Sequence, residues 1–355
     1  MPNGRAATIW DIARELGISA MTVSRALNSH PSVRDETRRK VLEKAAELNY
    51  RPNRWARTLV TNRTHIIGLV VPDISHTFFG EITRGIQDVI EEQGYNLLLC
   101  STGRDPETEI REVDALLGTR VEGLIVASEQ PEESAEYFSR IVRQGIPLVS
   151  IDRFFPKLKC GRFTTDDHEA GRLVTQHLIE LGHRKIAHVR GLRTSAARLR
   201  LEGYLEALRS HSLQQDPSWV VSGDFRVDES REAAKFLMNL RDRPTAIVAG
   251  NDTSAFGVIR GCRDLGLAVP DDISVAGMGN IEGDLHPNPY LTTVHWDRLR
   301  MGRDAARVLL SLIANGPEKS TVKKVYAPTL VVRQSTRRFR PAGNGGAYRK
   351  SGPHQ

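Results

Sequence analysis

The sequence of 355 residues is poor in cysteine. Its three cysteines lie far apart, at Cys100, Cys160 and Cys262. None of them has the CxxC spacing of a zinc or redox motif, so neither a disulfide framework nor a cysteine zinc site is expected. The histidines show no metal-ligand spacing either, and no metal site is predicted. Such cysteine usage is typical of a reducing compartment.

Long apolar runs are also missing. No run approaches the roughly 20 residues that a membrane-spanning helix needs. The first residues do not show the basic-then-apolar pattern of an export signal. The sequence therefore predicts a cytoplasmic protein that makes no membrane contact.

The motifs of several large enzyme classes are absent. The sequence contains no P-loop, no HExxH and no GxSxG. The segment GMGNIEG follows an apolar run and is similar to a dinucleotide fingerprint. Its third glycine falls one place late, however, and no helix-plus-acid pattern supports it. We therefore predict neither an enzyme nor a bound cofactor. A transport-type binding protein is disfavoured by the missing export signal and the helical head described below.

The distribution of charge is uneven along the chain. Residues 1–63 hold twelve Lys or Arg and six Asp or Glu, and residues 333–355 hold six basic residues and no acidic one. Because the whole chain carries a net charge of +7, the stretch between these two segments carries −5. A basic head on an acidic body is typical of a nucleic-acid binder with a separate second domain. A solvated basic surface is the alternative that charge alone leaves open.

The basic head has the pattern of three short helices. Thr8 can cap the first helix, Gly17 permits a sharp turn, and Ser19 can cap the second helix. A third helix is predicted to open at Ser32. The residues predicted to face inward are Ile9, Ile12, Ala13, Leu16, Val23, Ala26, Leu27, Val41, Ala45 and Leu48. This arrangement predicts a helix-turn-helix.

The outer face of the second helix suits the major groove of DNA. Ala20, Met21, Ser24 and Arg25 share this face, and none of them is acidic. Arg25 can bond a guanine edge with two hydrogen bonds, while Met21 and Ala20 can meet a thymine methyl group. The residues suited to phosphate oxygens are Thr22, Ser24 and Asn28. A small helical bundle without a DNA role is the alternative.

Beyond residue 63 short apolar runs alternate with helical stretches. The runs typical of buried parallel strands are HIIGLVV, YNLLLC, VEGLIVA, IPLVSI, KIAHVR, TAIVAG and ISVAG. The helical stretches include 79–93, 168–181, 196–210 and 252–265. The pattern predicts a doubly wound α/β body that is large enough for two lobes, with ligands bound at the carboxyl ends of the strands.

Ordered motifs give the chain a family resemblance from about residue 7 to residue 338. They include TIWDIARELGISAMTVSRALN, IGLVVPDISHTFFGEITRGI, ARLRLEGYLEAL and VAGNDTSAFGVI. The chain thereby resembles the lactose-repressor/galactose-repressor (LacI/GalR) family of transcriptional regulators. The resemblance implies an α helix-turn-helix headpiece plus an α/β two-lobed, periplasmic-binding-protein-like domain. It also implies a homodimer, an operator in double-stranded DNA and a small-molecule effector.

The resemblance also implies a division of the chain into four segments. The expected boundaries are a headpiece at 1–51, a hinge helix and linker at 52–63, an effector-binding and dimerisation domain at 64–338, and a disordered basic tail at 339–355. RPNRWARTL is similar to the family's hinge helix, in which Leu59 would enter the minor groove beside Ala56. An ordinary linker residue is the alternative for Leu59. The expected DNA-binding residues are Thr8, Ser19, Ala20, Met21, Thr22, Ser24, Arg25, Asn28, Asn53, Ala56 and Leu59.

Eight effector-binding residues follow from the same motifs. They are Phe78, Phe79, Asp152, Arg153, Asp166, Arg200, Phe225 and Asp252. Core packing is the alternative for Phe78 and Phe225, and a surface ion pair is the alternative for Arg200.

The chain departs from the family pattern at two places. Gly277, Met278 and Gly279 stand where the family usually has Gly-Tyr-Asp, and His76 and Thr77 replace a common Asn-Pro. Losing the aspartate, while keeping Arg200 and gaining Arg153 or Arg193, shifts the expected cleft toward positive charge. We therefore expect a sugar-like effector that is anionic, such as a sugar acid or sugar phosphate. Three alternatives stay open: a neutral sugar helped by Asp284 or a water, a purine or other non-sugar, and a regulator without an effector.

Overall fold

The computed structural model describes residues 7–50, 63–75, 77–131, 134–192, 194–281, 289–316 and 321–340. The chain divides into two compact units, Met1–Thr64 and His65–Gln355. We call them the head and the body. Most of the predicted hinge at 52–63 and of the predicted tail at 339–355 lies outside the described residues.

Three helices form the head: α1 at Ile9–Leu16, α2 at Ala20–Leu27 and α3 at Asp35–Glu47. The Asp11 carboxylate accepts the Thr8 backbone N–H at 2.9 Å, as a capping box requires. Gly17 ends α1 with a φ of 63°, a left-handed conformation that glycine adopts at little cost. Ser19 Oγ accepts the Thr22 N–H at 3.1 Å and caps α2. The turn between α1 and α2 therefore forms as the sequence predicts.

The predicted start of the third helix is wrong. The helix begins at Asp35, three residues after Ser32. The Ser32 hydroxyl lies 2.8 Å from His30 Nδ1, and the Ser32 N–H donates to the same nitrogen. Ser32 thus stabilises the turn before α3 and is not available as its cap. The core of the head is the predicted one, with Ile12, Val23 and Val41 fully buried.

The first lobe of the body is built on a six-stranded parallel sheet in the order β11-β5-β4-β3-β1-β2. Its strands are β1 Ile66–Val71, β2 Asn96–Ser101, β3 Gly123–Val126, β4 Leu148–Ile151, β5 Gly161–Thr165 and β11 Lys323–Tyr326. Its helices are α4 Thr77–Glu92, α5 Pro106–Gly118, α6 Ala135–Arg143 and α11 Arg298–Asn315. Alternate residues of β1 pack into different cores, Leu69 with α4 and α11, and Val70 with α5 and α6. Helices therefore cover both faces of the sheet.

The second lobe contains a four-stranded parallel sheet in the order β7-β6-β8-β9. Its strands are β6 Ile186–Arg190, β7 Val220–Ser222, β8 Ala246–Ala249 and β9 Ser274–Ala276. Its helices are α7 Asp167–Glu180, α8 Ser195–Ser210, α9 Val227–Met238 and α10 Asp252–Asp264. An antiparallel ribbon of β10 Thr293–His295 and β12 Thr329–Val331 lies beside this sheet, where Thr292 bridges to Ala276.

Within the described ranges, the chain crosses between the lobes at Asp166, between β10 and α11, and between β11 and β12. All seven predicted apolar runs form parallel strands. The two-lobed α/β body is therefore confirmed. In the part of the chain that the structure describes, every helix is too short or too polar to span a membrane.

Candidate functional site

The exposed face of α2 carries the residues expected to meet DNA. Met21, Arg25 and Asn28 are exposed, while Thr22 and Ser24 are half-buried. The helix contains no acidic residue. Arg25 forms no ion pair with any residue in the described ranges. A long cationic donor is therefore available on the part of α2 that points away from the head's core.

Some of the predicted DNA contacts have internal partners in the head. Ala20 was predicted to lie on the outer face of α2. It is only 9% exposed and packs in the core of the head, so this prediction is wrong. The hydroxyl of Thr8 donates to Asp11 at 2.7 Å, and Asn28 Nδ2 donates to the Ser24 carbonyl oxygen at 2.8 Å. Asn53, Ala56 and Leu59 lie outside the described residues, and their roles stay predictions.

A cleft lies between the two lobes of the body. The residues that line it are Pro72, Phe78, Phe79, Arg104, Glu129, Asp152, Arg153, Ala196, Arg200, Phe225, Asn251, Met278, Gly279 and Trp296. Six of the eight predicted effector-binding residues are among them. They reach the cleft from the carboxyl ends of the strands in both lobes, as an open α/β sheet predicts.

Aromatic side chains form two walls of the cleft. Phe78 and Phe79 lie in the first turn of α4, with ring centroids 5.1 Å apart in an edge-to-face arrangement. Phe225 comes from the second lobe and has a φ of 59°. Its ring lies against Gly191, where any Cβ atom would overlap it. The three rings are at most 6% exposed, so they both complete the core and face the cleft.

Arg200 is held by a buried ion pair. Its Nε donates to Asp167 Oδ1 at 2.8 Å, and its Nη1 donates to the Gly250 carbonyl oxygen at 2.7 Å. Both side chains of the pair are at most 7% exposed, so the alternative of a surface ion pair is wrong. The sequence-based prediction named Asp166 and missed Asp167. The guanidinium is thereby fixed beside the rings of Trp296 and Phe225, at 5.2 Å and 5.8 Å from their centroids.

Arg153 is surrounded by carboxylates in the first lobe. Its Nη1 lies 2.5 Å from Glu129 Oε2, and its Nε lies 3.4 Å from Asp152 Oδ2. Burial lowers the pKa of Arg153, but the Glu129 and Asp152 carboxylates outweigh it and the net pKa is raised. Burial raises the pKa of the Asp152 carboxyl to about 6, against the opposing effect of Arg153. Behind them burial also raises the pKa of Glu109, which accepts the Ser128 hydroxyl and the Glu129 N–H.

Two arginines join the lobes around the cleft. Arg104, which follows β2, donates from Nη1 to the Phe225 carbonyl oxygen at 3.0 Å. Burial lowers the pKa of Arg104. At the start of α11, Arg298 makes two hydrogen bonds to Glu81 of α4, at 2.9 and 2.6 Å, and donates to the Gly279 carbonyl oxygen. The bonds to the Phe225 and Gly279 carbonyl oxygens cross from the first lobe to the second and favour a closed cleft.

Two predicted effector contacts are corrected by the structure. The Asp166 carboxylate caps α7 by accepting the Glu169 N–H at 3.0 Å, and it does not line the cleft. Asp252 Oδ1 accepts the Thr293 hydroxyl at 2.5 Å, and Oδ2 accepts the Ile281 N–H at 2.9 Å. Asp252 therefore anchors loops, and the preceding Asn251 lines the cleft instead.

The predicted excess of positive charge in the cleft is not found among the described residues. Arg200 faces Asp167, Arg153 faces Glu129 and Asp152, and Arg104 lies 3.9 Å from Asp73. A compensating carboxylate therefore accompanies each lining arginine. His76, Arg193 and Asp284 lie outside the described residues.

Comparison with known proteins supports both units. Residues 8–53 match the model of the lacI family of bacterial regulatory proteins, and residues 175–336 match a periplasmic binding protein-like domain. The chain is 35% identical over 335 residues to the HTH-type transcriptional repressor PurR of Vibrio vulnificus (strain CMCP6), covering 94% of this chain and 99% of the relative. It is 36% identical over 337 residues to PurR of Haemophilus influenzae (strain PittEE), covering 93% of this chain and 99% of the relative.

Solved structures agree with this assignment. The lac repressor dimer bound to operator and the anti-inducer ONPF has a TM-score of 0.82 at 28% identity, covering 94% of this chain and 100% of that one. A complex of the transcriptional regulator CelR with cellobiose has a TM-score of 0.69 at 29% identity, covering 93% of this chain and 99% of that one.

A DNA-binding head joined to a two-lobed body with a ligand cleft defines an effector-responsive transcriptional repressor, and its relatives are repressors rather than enzymes. The chain belongs to the LacI family of bacterial regulatory proteins.

Proposed function

We propose that the protein represses transcription in the cytoplasm by binding a palindromic operator as a homodimer, under the control of a small molecule in the cleft. The observation that carries the proposal is that both lobes contribute side chains to the lining of the cleft. Phe78 and Arg153 belong to the first lobe, whereas Arg200 and Phe225 belong to the second. A ligand that contacts all four favours one arrangement of the lobes, and differential affinity of this kind shifts a conformational equilibrium.

The proposal assigns a role to each segment of the chain. Residues 1–51 read the operator, residues 52–63 form the hinge, residues 64–338 bind the effector and dimerise, and residues 339–355 are a tail. The named relatives support the first and third roles, because the lac repressor structure contains a dimer, an operator and an anti-inducer. Asn53, Ala56 and Leu59 are proposed DNA contacts in the hinge.

The experiment that tests this function measures DNA and ligand binding with the full chain. A duplex selected from random sequences is titrated with the protein by fluorescence anisotropy at several salt concentrations. A thermal-shift screen of sugars, sugar acids, sugar phosphates and purines then identifies ligands, because a compound that binds only the folded state raises the melting temperature. Specific, salt-dependent duplex binding that a ligand modulates is expected. Binding that is independent of duplex sequence would contradict the proposal.

Arg25→Ala is expected to weaken operator binding by about 1–3 kcal/mol and to relax specificity at one base pair. Arg25 is the long donor on the exposed face of α2, and a bidentate contact to a guanine supplies discrimination of that size. Titrations against operators with single-base changes measure the effect. Arg14→Ala is the matched control, because Arg14 lies on α1 and pairs with Asp11. Unchanged preference at every position in Arg25→Ala would remove Arg25 from base recognition.

Asp152→Asn is expected to change how the stability of the body depends on pH. A carboxyl whose folded pKa is raised to about 6 binds a proton more readily in the folded protein than in the unfolded chain, so its contribution to stability is lost as pH rises through 6. From pH 7 to pH 4 the wild type should gain roughly 2 kcal/mol relative to the variant, because each pKa unit corresponds to about 1.4 kcal/mol and the unfolded carboxyl is still partly ionised at pH 4. Asparagine tolerates the left-handed φ of 64° at this position. Denaturant unfolding at both pH values checks this, and equal pH slopes would refute it.

A further inference from the structure

The cleft contains a buried donor without a partner. Trp296 follows β10 where the chain crosses to α11, is 1% exposed and lines the cleft. Its indole Nε1 has no hydrogen-bond acceptor among the described residues. An unsatisfied buried donor costs about 1–3 kcal/mol, and a phenylalanine, although smaller than the indole, would carry no such donor. The indole N–H therefore lacks an acceptor within the described part of the chain, and a bound ligand can supply one.

The other unpartnered buried polar atoms of the described residues either lie away from the cleft or belong to a charge-compensated group. Both ring nitrogens of His188 are unpartnered, but His188 stacks on Tyr204 at 5.1 Å and does not line the cleft. Arg153 Nε lies 3.4 Å from an Asp152 oxygen, so its charge is compensated. Among the residues that the structure describes, Trp296 alone combines a place in the lining with an unpartnered neutral donor.

The charges around the cleft bear on the class of ligand. Arg200 and Arg153 are already paired with Asp167 and Glu129. An anionic ligand would add an uncompensated buried charge, and the desolvation penalty of such a charge is several kcal/mol. The rings of Phe78, Phe79 and Phe225 offer flat apolar surfaces to a ring-shaped molecule. The lining therefore favours an uncharged ring over the anionic effector expected from sequence.

We propose that Trp296 is a specificity-determining residue whose indole N–H donates a hydrogen bond to an acceptor atom of an uncharged, ring-shaped effector. This inference rests on the proposed function, because it takes the cleft as the effector site. The acceptor is a hydroxyl or carbonyl oxygen or a ring nitrogen of the ligand. The hydrogen bond forms only in the complex, so it contributes to the affinity for the effector and not to the stability of the free protein.

The test compares Trp296→Phe with the wild type by calorimetry and by thermal unfolding of the full chain. The probes are ribose, cellobiose and adenine as uncharged rings, and gluconate and glucose 6-phosphate as anions. At least one uncharged probe should bind the wild type more tightly than either anion does. It should bind Trp296→Phe about tenfold more weakly, because the ligand acceptor loses its donor. The ligand-free variant should lose less stability than the control variant described next, because the smaller ring leaves a cavity but removes no internal hydrogen bond.

Trp219→Phe is the matched control. Trp219 is 5% exposed, lies outside the cleft, and donates from Nε1 to the Asp242 carbonyl oxygen at 3.0 Å. This change should lower the melting temperature and leave the affinity for the probe unchanged. If Trp296→Phe lowers the melting temperature as much as the control does, the N–H has an internal acceptor and the inference is wrong.

Further outcomes separate this inference from the proposed function. Any of three results would overturn the inference about Trp296. They are tighter binding of an anion, equal affinity of the wild type and Trp296→Phe for the probe, and operator binding without affinity for any uncharged probe. If the protein binds no specific duplex, the proposed function is overturned instead. The melting temperatures of Trp296→Phe and Trp219→Phe would still decide whether the indole N–H of Trp296 is unpartnered.

Discussion

Replacing Arg200 with leucine is expected to abolish detectable effector binding and to lower the stability of the body by about 3–5 kcal/mol. The change leaves Asp167 as an uncompensated buried charge and removes the donor to the Gly250 carbonyl oxygen. Denaturant unfolding and calorimetry with the probe that binds most tightly measure the two effects. Arg231→Leu is the control, because Arg231 pairs with Asp264 on the surface and exposed pairs contribute at most about 1 kcal/mol.

A double variant separates the loss of charge compensation from the loss of the ligand contact. Arg200→Leu combined with Asp167→Leu removes both members of the pair, so the buried charge is no longer present. Much of the stability should return, as it does when apolar groups replace a buried ion pair, while effector binding stays absent. A double variant no more stable than Arg200→Leu would show that the pair is not the cause of the destabilisation.

Gly171→Ala and Gly203→Ala are each expected to destabilise the body by about 3 kcal/mol. Gly171 lies in α7 and Gly203 in α8, two helices that pack against each other. A Cβ at either glycine would overlap a backbone carbonyl oxygen of the other helix, that of Arg200 or that of His168. The helices must then move apart, and overpacking of this kind costs about 1–3 kcal/mol or more. Because α8 carries Arg200, the affinity for the effector should fall as well.

Thermal and denaturant unfolding compare these variants with Gly118→Ala. Gly118 is the last residue of α5, and a Cβ there meets no atom within 4 Å. Alanine at such a position is expected to be neutral or to stabilise by up to about 1 kcal/mol, because it favours the helix. Destabilisation of all three variants by the same amount would contradict the proposed close approach of α7 and α8.

The sequence predicts most of the body because its central strands are continuous apolar runs. β1, β3, β4, β6, β8 and β9 are bounded by turn residues and buried almost completely, so their pattern is easily recognised. β5, β7, β10, β11 and β12 are not predicted by any of the apolar runs. Lys and Arg interrupt β5 and β11, and β11 is an edge strand with exposed residues. Pairing with a neighbouring strand decides the conformation of such a segment, and the local sequence does not.

The candidate site was predicted where one motif carries the residue and missed where tertiary packing selects it. Asp166 and Asp167 are adjacent, and only the position of the first turn of α7 decides that Asp166 is the cap and Asp167 the partner of Arg200. Arg104, Glu129 and Trp296 follow strand ends without a recognisable motif. Their roles depend on partners distant in sequence, such as the Phe225 carbonyl group for Arg104.

The central claim is that a ligand in the cleft controls the affinity of the head for one DNA sequence. The most direct measurement is the operator affinity of the full chain at fixed salt, by anisotropy, with and without a saturating probe that binds the cleft. We expect two chains per palindromic duplex and an affinity that the probe changes at least tenfold in the wild type but not in Arg200→Leu. A probe that binds the cleft and leaves the operator affinity unchanged would contradict the claim.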